Sequence, residues 1–202
     1  MKLYYAPGAC SLAPHIALRE AGLAFDLEKV DLRAKKTESG ADFTAVNPKG
    51  YVPALTLDDG TLLTENMALA QYVADQNPEA GLAPAAGTME RYRLQEWLAF
   101  VSTELHKGFS PLFNPATPDA YKAIVKDKLA TRLAYLDKHL ARHPYLMGQG
   151  FTVADGYCFT ILRWADNFKI DLTGYPNVTT YMDRVRARPK VQEALKAEGL
   201  PT

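Results

Sequence analysis

The stretch Leu3-Tyr4-Tyr5-Ala6-Pro7-Gly8-Ala9-Cys10-Ser11-Leu12 decides how the chain is read. Leu3-Tyr4-Tyr5 predicts a short strand, and Pro7 and Gly8 close it with a turn. A helix should follow from about Ser11, with Pro14 tolerated in its first turn and Gly22 ending it. Working outward, Phe25-Leu27 and Val30-Leu32 predict a second strand, with a break in the alternation near Lys29. Asp42 to Val46 forms a short helix, stopped by Asn47-Pro48 and Gly50. Val52 to Leu57 and Thr61 to Leu63 flank Asp58-Asp59-Gly60, a strong hairpin signal. A further helix begins near Glu65 and carries Leu69, Tyr72 and Val73 inward. The order is βαβ, a link, then ββα, which makes a small α/β sheet unit.

A Pro/Gly/Ala-rich stretch from Asn77-Pro78 to Gly87 marks a domain boundary. The division expected is residues 1–78, a linker at 79–87, and an all-helical domain at 88–202. Leu94, Trp97, Leu98, Val101 and Leu105 recur at helical spacing and predict a long amphipathic helix. Pro111 to Pro118 should interrupt it. Tyr121, Ile124, Val125, Leu129, Leu133, Leu136 and Leu140 predict a second helix, antiparallel to the first. Thr152-Val153-Ala154-Asp155 has the form of a capping box with Asp at its third position. The hydrophobic staple that usually accompanies it is incomplete: Phe151 supplies the outer residue, but Gly156 sits where its partner belongs. Tyr157, Ile161 and Leu162 continue this helix, expected to be buried and central. Two shorter helices follow Pro176 and Pro189.

Lys plus Arg and Asp plus Glu number 23 each in 202 residues, so no overall field draws the chain to nucleic acid or to an acidic membrane. No apolar run is long enough to span a bilayer, and the first residues lack a secretory pattern. The two cysteines, Cys10 and Cys158, are far apart; free thiols in a reducing cytoplasm are expected rather than a disulfide framework.

Cys10 is the most informative chemical position. It lies after the first strand, at the mouth of the first helix, where free N–H groups and the helix dipole favour a thiolate. With no second cysteine nearby, such a thiol needs an external one to complete disulfide exchange. The alternative is a small buried residue filling space. Val52-Pro53 is the second clue: in a cis form, the Val52 N–H and C=O would be available to an extended peptide, and sequence alone does not decide the isomer. Thr64-Glu65-Asn66 opens the next helix. Its free N–H groups suit a carboxylate and Glu65 suits an amine, although plain N-capping explains the same residues. On the first helix of the second half, Thr103, Glu104, His106 and Lys107 lie together. Glu104 and Lys107 could be no more than a surface ion pair, and His106 no more than a solvent-facing histidine. His15, His139 and His143 show no metal-ligand spacing with any cysteine, so no metal is predicted.

Taken in order, Tyr4 to Leu12, Asn47-Pro48-Lys49-Gly50-Tyr51-Val52-Pro53-Ala54-Leu55, Leu63-Thr64-Glu65, Trp97, Glu104-Leu105-His106-Lys107 and Phe151 to Asp155 resemble the beta-class bacterial glutathione transferases. The similarity runs through essentially the whole chain. It implies a thioredoxin-like domain followed by an all-helical one, a homodimer, glutathione as co-substrate, and a role in detoxification. By the resemblance, Cys10 meets the glutathione sulfur and forms a mixed disulfide with it, and His106 sits near that sulfur. Val52, on a cis-Pro53 peptide, pairs with the cysteinyl backbone. Glu65 and Asn66 hold the γ-glutamyl end, Lys35 meets the glycine carboxylate, and Thr103 and Glu104 arrive from the partner subunit. The sequence departs from the pattern at Ala99, where relatives often carry Asn, at Asn66, where they carry Gly or Ser, and at Thr103 in place of Ser. The activity implied is conjugation of glutathione to small hydrophobic electrophiles, with disulfide or peroxide reduction through Cys10. The electrophile is expected between the domains, against Phe109, Phe113, Trp164 and Phe168. A glutathione-binding or regulatory module without catalysis is the alternative.

Overall fold

The structure is a computed structural model that describes residues Met1–Thr202. The first part of the chain runs β1 (Lys2–Tyr5), α1 (Leu12–Glu20), β2 (Asp26–Asp31), β3 (Lys36–Thr37), α2 (Phe43–Val46), β4 (Ala54–Thr56), β5 (Leu62–Thr64) and α3 (Asn66–Gln76). The five strands form one sheet in the order β3-β2-β1-β4-β5. β1 is parallel to β2 and antiparallel to β4, so Leu3 stands between Leu27 and Leu55 with its side chain fully buried.

Two expectations change here. β2 runs through Lys29 without a break, because pairing of Lys29 with Tyr5 holds the backbone extended whatever the side chain. Phe25 and Leu32 fall outside it. β3 has no signal in the sequence: two residues, only Thr37 of them buried, show no period, and they are held by pairing with Val30 and Asp31.

After a single 3-10 turn at Pro78–Ala80 the chain is helical: α4 (Met89–Phe100), a π-helical segment Val101–His106, α5 (Lys107–Phe113), α6 (Asp119–Leu140), α7 (Val153–Leu162), α8 (Trp164–Asn167), α9 (Pro176–Arg186) and α10 (Pro189–Ala197). Thr88 caps α4, its hydroxyl accepting from the Arg91 N–H at 3.2 Å. The interruption expected from Pro111 begins only at Asn114. Pro111 lies inside α5, three residues before its C-cap, where little helix follows it, and the nearby His106 carbonyl is taken up by the Ser110 hydroxyl at 3.1 Å. No helix is long and apolar enough to cross a membrane.

α7 is buried at all ten positions and packs against α1, α3, α4 and α9. A helix start with no access to water must find partners for its N–H groups inside the protein. The Thr152–Asp155 capping box supplies them: Asp155 accepts from the Thr152 N–H and hydroxyl, at 2.8 and 3.0 Å, while Thr152 answers the N3 donor. Asp155 also accepts from the Leu146 N–H at 2.8 Å and from the Tyr181 hydroxyl at 3.2 Å. Burial pushes its carboxyl up to about 6 against the pull of these bonds. The missing staple partner has a packing reason. A Cβ on Gly156 would come within 3.3 Å of Ile16 and 3.6 Å of the Phe151 ring, so the bare glycine lets α1 and Phe151 close onto α7.

The sheet part and the helical part share one apolar core. Arg188 grips Glu20 with two hydrogen bonds of 2.6 and 2.8 Å, and buried Arg91 pairs with Asp75. Asp155→Ala should strand the Leu146 and Thr152 donors and lower stability by about 3 kcal/mol. The test is the urea midpoint: a shift under a third of that size would show that the cap does not hold α7.

Candidate active site

The loop from Ala6 to Ser11 is held from both sides. The Ser11 hydroxyl accepts from the Ala6 N–H at 3.1 Å. The Gly8 N–H donates to Glu198 at 2.9 Å, and the Gly8 carbonyl accepts from the Trp164 indole at 2.9 Å. Gly8 takes φ 70°, a left-handed conformation that favours glycine. Glu198 is in turn bonded to His15 Nδ1 at 2.8 Å. Arg19 can only donate, so its 2.8 Å contact with His15 Nε2 leaves Nδ1 as the nitrogen that carries the proton to Glu198. None of His15, Trp164 or Glu198 was singled out from the sequence as a support for this loop. Their partners lie up to 190 residues away, beyond any spacing signal.

The loop delivers Cys10 to the wall of a cavity of 420 Å³ lined also by Tyr51, Val52, Pro53, Glu65, Asn66, Met67, Ser102, His106, Lys107 and Tyr157. The expected thiolate is not found in this state. Burial pushes the Cys10 thiol up to about 11, opposed by a hydrogen bond from Asn66. The geometry explains why the helix mouth does not win. Leu12 and Ala13 give their N–H groups to the Ala9 and Cys10 carbonyls, and the sulfur donates to the Val52 carbonyl at 3.3 Å, a contact only a protonated thiol makes. Cys10 and Cys158 are both free, and Cys158 is shut in the core.

Val52-Pro53 is cis. The Val52 amide donates to no group of the chain, although the residue is only 4% exposed. Beside it, α3 starts without a side-chain cap, which overturns N-capping as the role of Glu65. Glu65 takes φ 72° and turns its carboxylate to Lys49 Nζ, at 2.6 Å, and the Tyr51 hydroxyl, at 2.7 Å; hydrogen bonds from these groups hold it below the usual carboxylate range. Asn66 is 7% exposed, and its Oδ1 is the one buried side-chain polar atom with no partner. The same cavity therefore holds an unpaired amide, an uncapped helix start, a carboxylate and an orphan acceptor.

His106 faces this cavity rather than solvent, with Nδ1 2.6 Å from the Tyr157 hydroxyl and its ring edge-on to Trp164. Burial, with the Lys107 charge adding to it, pulls its pKa down to about 4, so it is neutral at pH 7. Thr103 and Glu104 are not brought to Cys10. They line a separate groove of 360 Å³, where Glu104 pairs with Arg132 at 2.6 Å rather than with Lys107, and the Thr103 hydroxyl bonds back to Ala99. Lys35 lies outside the cavity, its Nζ on the Gly50 carbonyl at 2.6 Å. Tyr51, Met67, Ser102 and Tyr157 join the site without having been assigned to it from the sequence.

A larger cleft of 570 Å³ opens on the other side of Cys10. Of the four aromatics expected there, Phe113 and Trp164 line it. Phe109 is fully buried and Phe168 packs edge-to-face behind Phe113 with centroids 4.6 Å apart, both filling the layer beneath. No cluster of three or more His, Cys, Asp or Glu side chains is placed to hold a metal ion.

Residues 8–76 match the glutathione S-transferase N-terminal domain and residues 100–189 the C-terminal domain of the same family. The chain belongs to the glutathione S-transferase family, with its thioredoxin-like sheet domain and helical domain. Within the family it matches the bacterial beta class: over the full length of both chains it superposes on the beta-class glutathione S-transferase of Sphingomonas chungbukensis with a TM-score of 0.96 and 53% identity. A sphingomonad glutathione S-transferase complexed with glutathione matches with the same coverage, identity and TM-score. Glutathione S-transferase GstA of Escherichia coli O157:H7 is 52% identical over 99% of this chain and its own whole length.

Two titrations check the site. Alkylation of Cys10 by iodoacetamide in the ligand-free protein should keep accelerating up to and beyond pH 10; a plateau below pH 8 would mean an ionised sulfur. His106 binds fewer protons folded than unfolded between pH 6.5 and 4, so its contribution to stability is complete above 6.5 and is lost as the pH falls toward 4. The urea midpoint should fall further in wild type than in His106→Gln between pH 7.5 and 4.5, and equal falls would contradict the assignment.

Proposed function

We propose that the chain binds glutathione in the 420 Å³ cavity and uses its sulfur in two reactions, with residues 1–78 carrying the tripeptide site, 79–87 linking, and 88–202 completing it. The single observation that carries this reading is the co-location of Cys10 with the unpaired Val52 amide and the uncapped start of α3 beside Glu65 and orphaned Asn66. A γ-glutamyl end brings a carboxylate for the helix start and an ammonium for Glu65 and the Asn66 carbonyl. A cysteinyl backbone brings a carbonyl for Val52. Lys35 meets the glycine carboxylate once it leaves Gly50. Thr103 and Glu104, which face away from their own cavity, serve the partner subunit of a homodimer in the cytoplasm.

In conjugation, the bound thiol loses its proton to solvent and attacks an electrophilic carbon of a small hydrophobic acceptor in the adjoining cleft, the sulfur–carbon bond forming as the carbon's bond to its leaving group breaks, a detoxifying reaction. Neutral His106 and Tyr157 lie at the wall where the developing sulfur charge would sit. In thiol transfer, the Cys10 thiolate attacks the glutathionyl sulfur of a mixed disulfide between glutathione and a substrate thiol, and releases the substrate sulfur as a thiolate that takes up a proton. A second glutathione then attacks the mixed disulfide left on Cys10, returning Cys10 and forming oxidised glutathione. A protonated resting thiol suits this division, since Cys10 becomes reactive only when its proton leaves the Val52 carbonyl.

Mass spectrometry of protein purified without reductant should show one glutathionyl group on Cys10, removed by dithiothreitol. Cys10→Ala should lose disulfide reduction by at least a hundredfold. Unchanged disulfide reduction in that variant would discard the second reaction, and failure to turn over any chloronitrobenzene would discard the first.

A further inference from the structure

The cleft of 570 Å³ beside Cys10 is walled mainly by apolar groups, with Tyr51, Phe113 and Trp164 as its aromatic residues, and Arg163 is the only charged side chain on its surface. Arg163 follows the last turn of α7, half-buried, with its guanidinium carbon 5.9 Å from the Phe159 ring centroid. Every other arginine that is not exposed has a hydrogen-bonding partner. Arg19, Arg91, Arg132, Arg186 and Arg188 each reach a carboxylate, and Arg184 reaches the Pro144 carbonyl. Arg163 reaches none. Of the two carboxylates whose charge it feels, Glu198 has both oxygens taken, by His15 and Gly8, and Asp166 lies exposed to water. Burial pulls the guanidinium below its ordinary value, and the like charge of Arg186 adds to this. A half-buried cation with no hydrogen-bonded partner, its nearest carboxylates already occupied or in water, leaves room for an anion on this apolar wall.

We propose that Arg163 is a specificity-determining residue that selects acceptor substrates carrying a carboxylate on an aromatic body. This rests on the conjugating activity proposed above. The ring packs against Phe113 and Trp164, which meet edge-to-face with centroids 4.9 Å apart, and the guanidinium pairs with the carboxylate in the fork geometry arginine offers. The cleft shares Cys10 and Val52 with the tripeptide cavity, so an acceptor held there lies next to the glutathione sulfur.

The test compares 4-chloro-3-nitrobenzoate with its methyl ester, which differs in charge and little in shape. In both, the sulfur–carbon bond forms as the carbon–chlorine bond breaks, chloride leaves with the bonding pair, and the thiol proton passes to buffer. The quantity read is the ratio of kcat/KM for acid over ester, corrected for the uncatalysed rates. In Arg163→Gln this ratio should fall about tenfold or more, mostly through KM, and Arg163→Lys should restore much of it. A ratio unchanged in Arg163→Gln overturns the inference while the conjugating activity stands. If wild type turns over neither compound nor 1-chloro-2,4-dinitrobenzene, the conjugation reading fails and takes this inference with it.

Discussion

The rest of the structure depends on one requirement: α7 has no water to bond to, so its start must be completed from within. Asp155 meets it, and in doing so ties Leu146 and Tyr181 to the same point. With that end fixed, the helix faces act as a frame. Gly156 admits Ile16 of α1, Tyr157 meets His106, and the residues just past the helix, Arg163 and Trp164, reach the cleft and the Gly8 carbonyl. The loop that carries Cys10 is therefore positioned by a helix more than 140 residues further along the chain. Packing alone would give a core; the polar contacts at its rim give that core one registration.

The electrostatics of the site follow from the same burial. Cys10, His106 and Tyr157 are all pushed by desolvation toward their uncharged forms, and the charged groups, Glu65 with Lys49, sit at the more exposed end. An arrangement of that kind separates a charged anchoring end from a neutral reacting end. It also concentrates unsatisfied hydrogen-bonding capacity, at Val52 and Asn66, in the space between.

Much of this was legible in the amino-acid order. The strand before Pro7, the hairpin at Asp58-Asp59-Gly60, the capping box at Thr152 and the buried run after it each rest on local chemistry and each formed, the hairpin with its arms at Ala54–Thr56 and Leu62–Thr64 rather than Val52 to Leu57 and Thr61 to Leu63. What escaped was set by tertiary contact. The ionisation of Cys10 is not legible locally, because its helix position is local but the Val52 acceptor and the desolvation are not. Glu65 looked like a cap because nothing in its neighbours announces a positive φ. His106 looked solvent-facing because α7, which covers it, lies some fifty residues away. Pro111 does not break the helix where it stands, because α5 ends two residues later and little of the ladder is left beyond it to disrupt.

The π-helical segment at Val101–His106 has a consequence for how length changes would act on this protein. A wide turn of this type holds one residue more than the α-helical ladder needs. Deleting a single residue there would let the ladder close in ordinary α geometry, so the rod from Met89 to Phe113 would persist. The wide turn has already absorbed most of that residue's rotation and rise, so the ends before and after it would keep nearly their present phase, with Trp97 and Leu98 on one side and His106 on the other. A deletion in the regular helix on either side has no such slack and would swing one end past the other by about 100° and draw it in by about 1.5 Å. The chain thus tolerates a change of length at one turn of this rod and nowhere else along it.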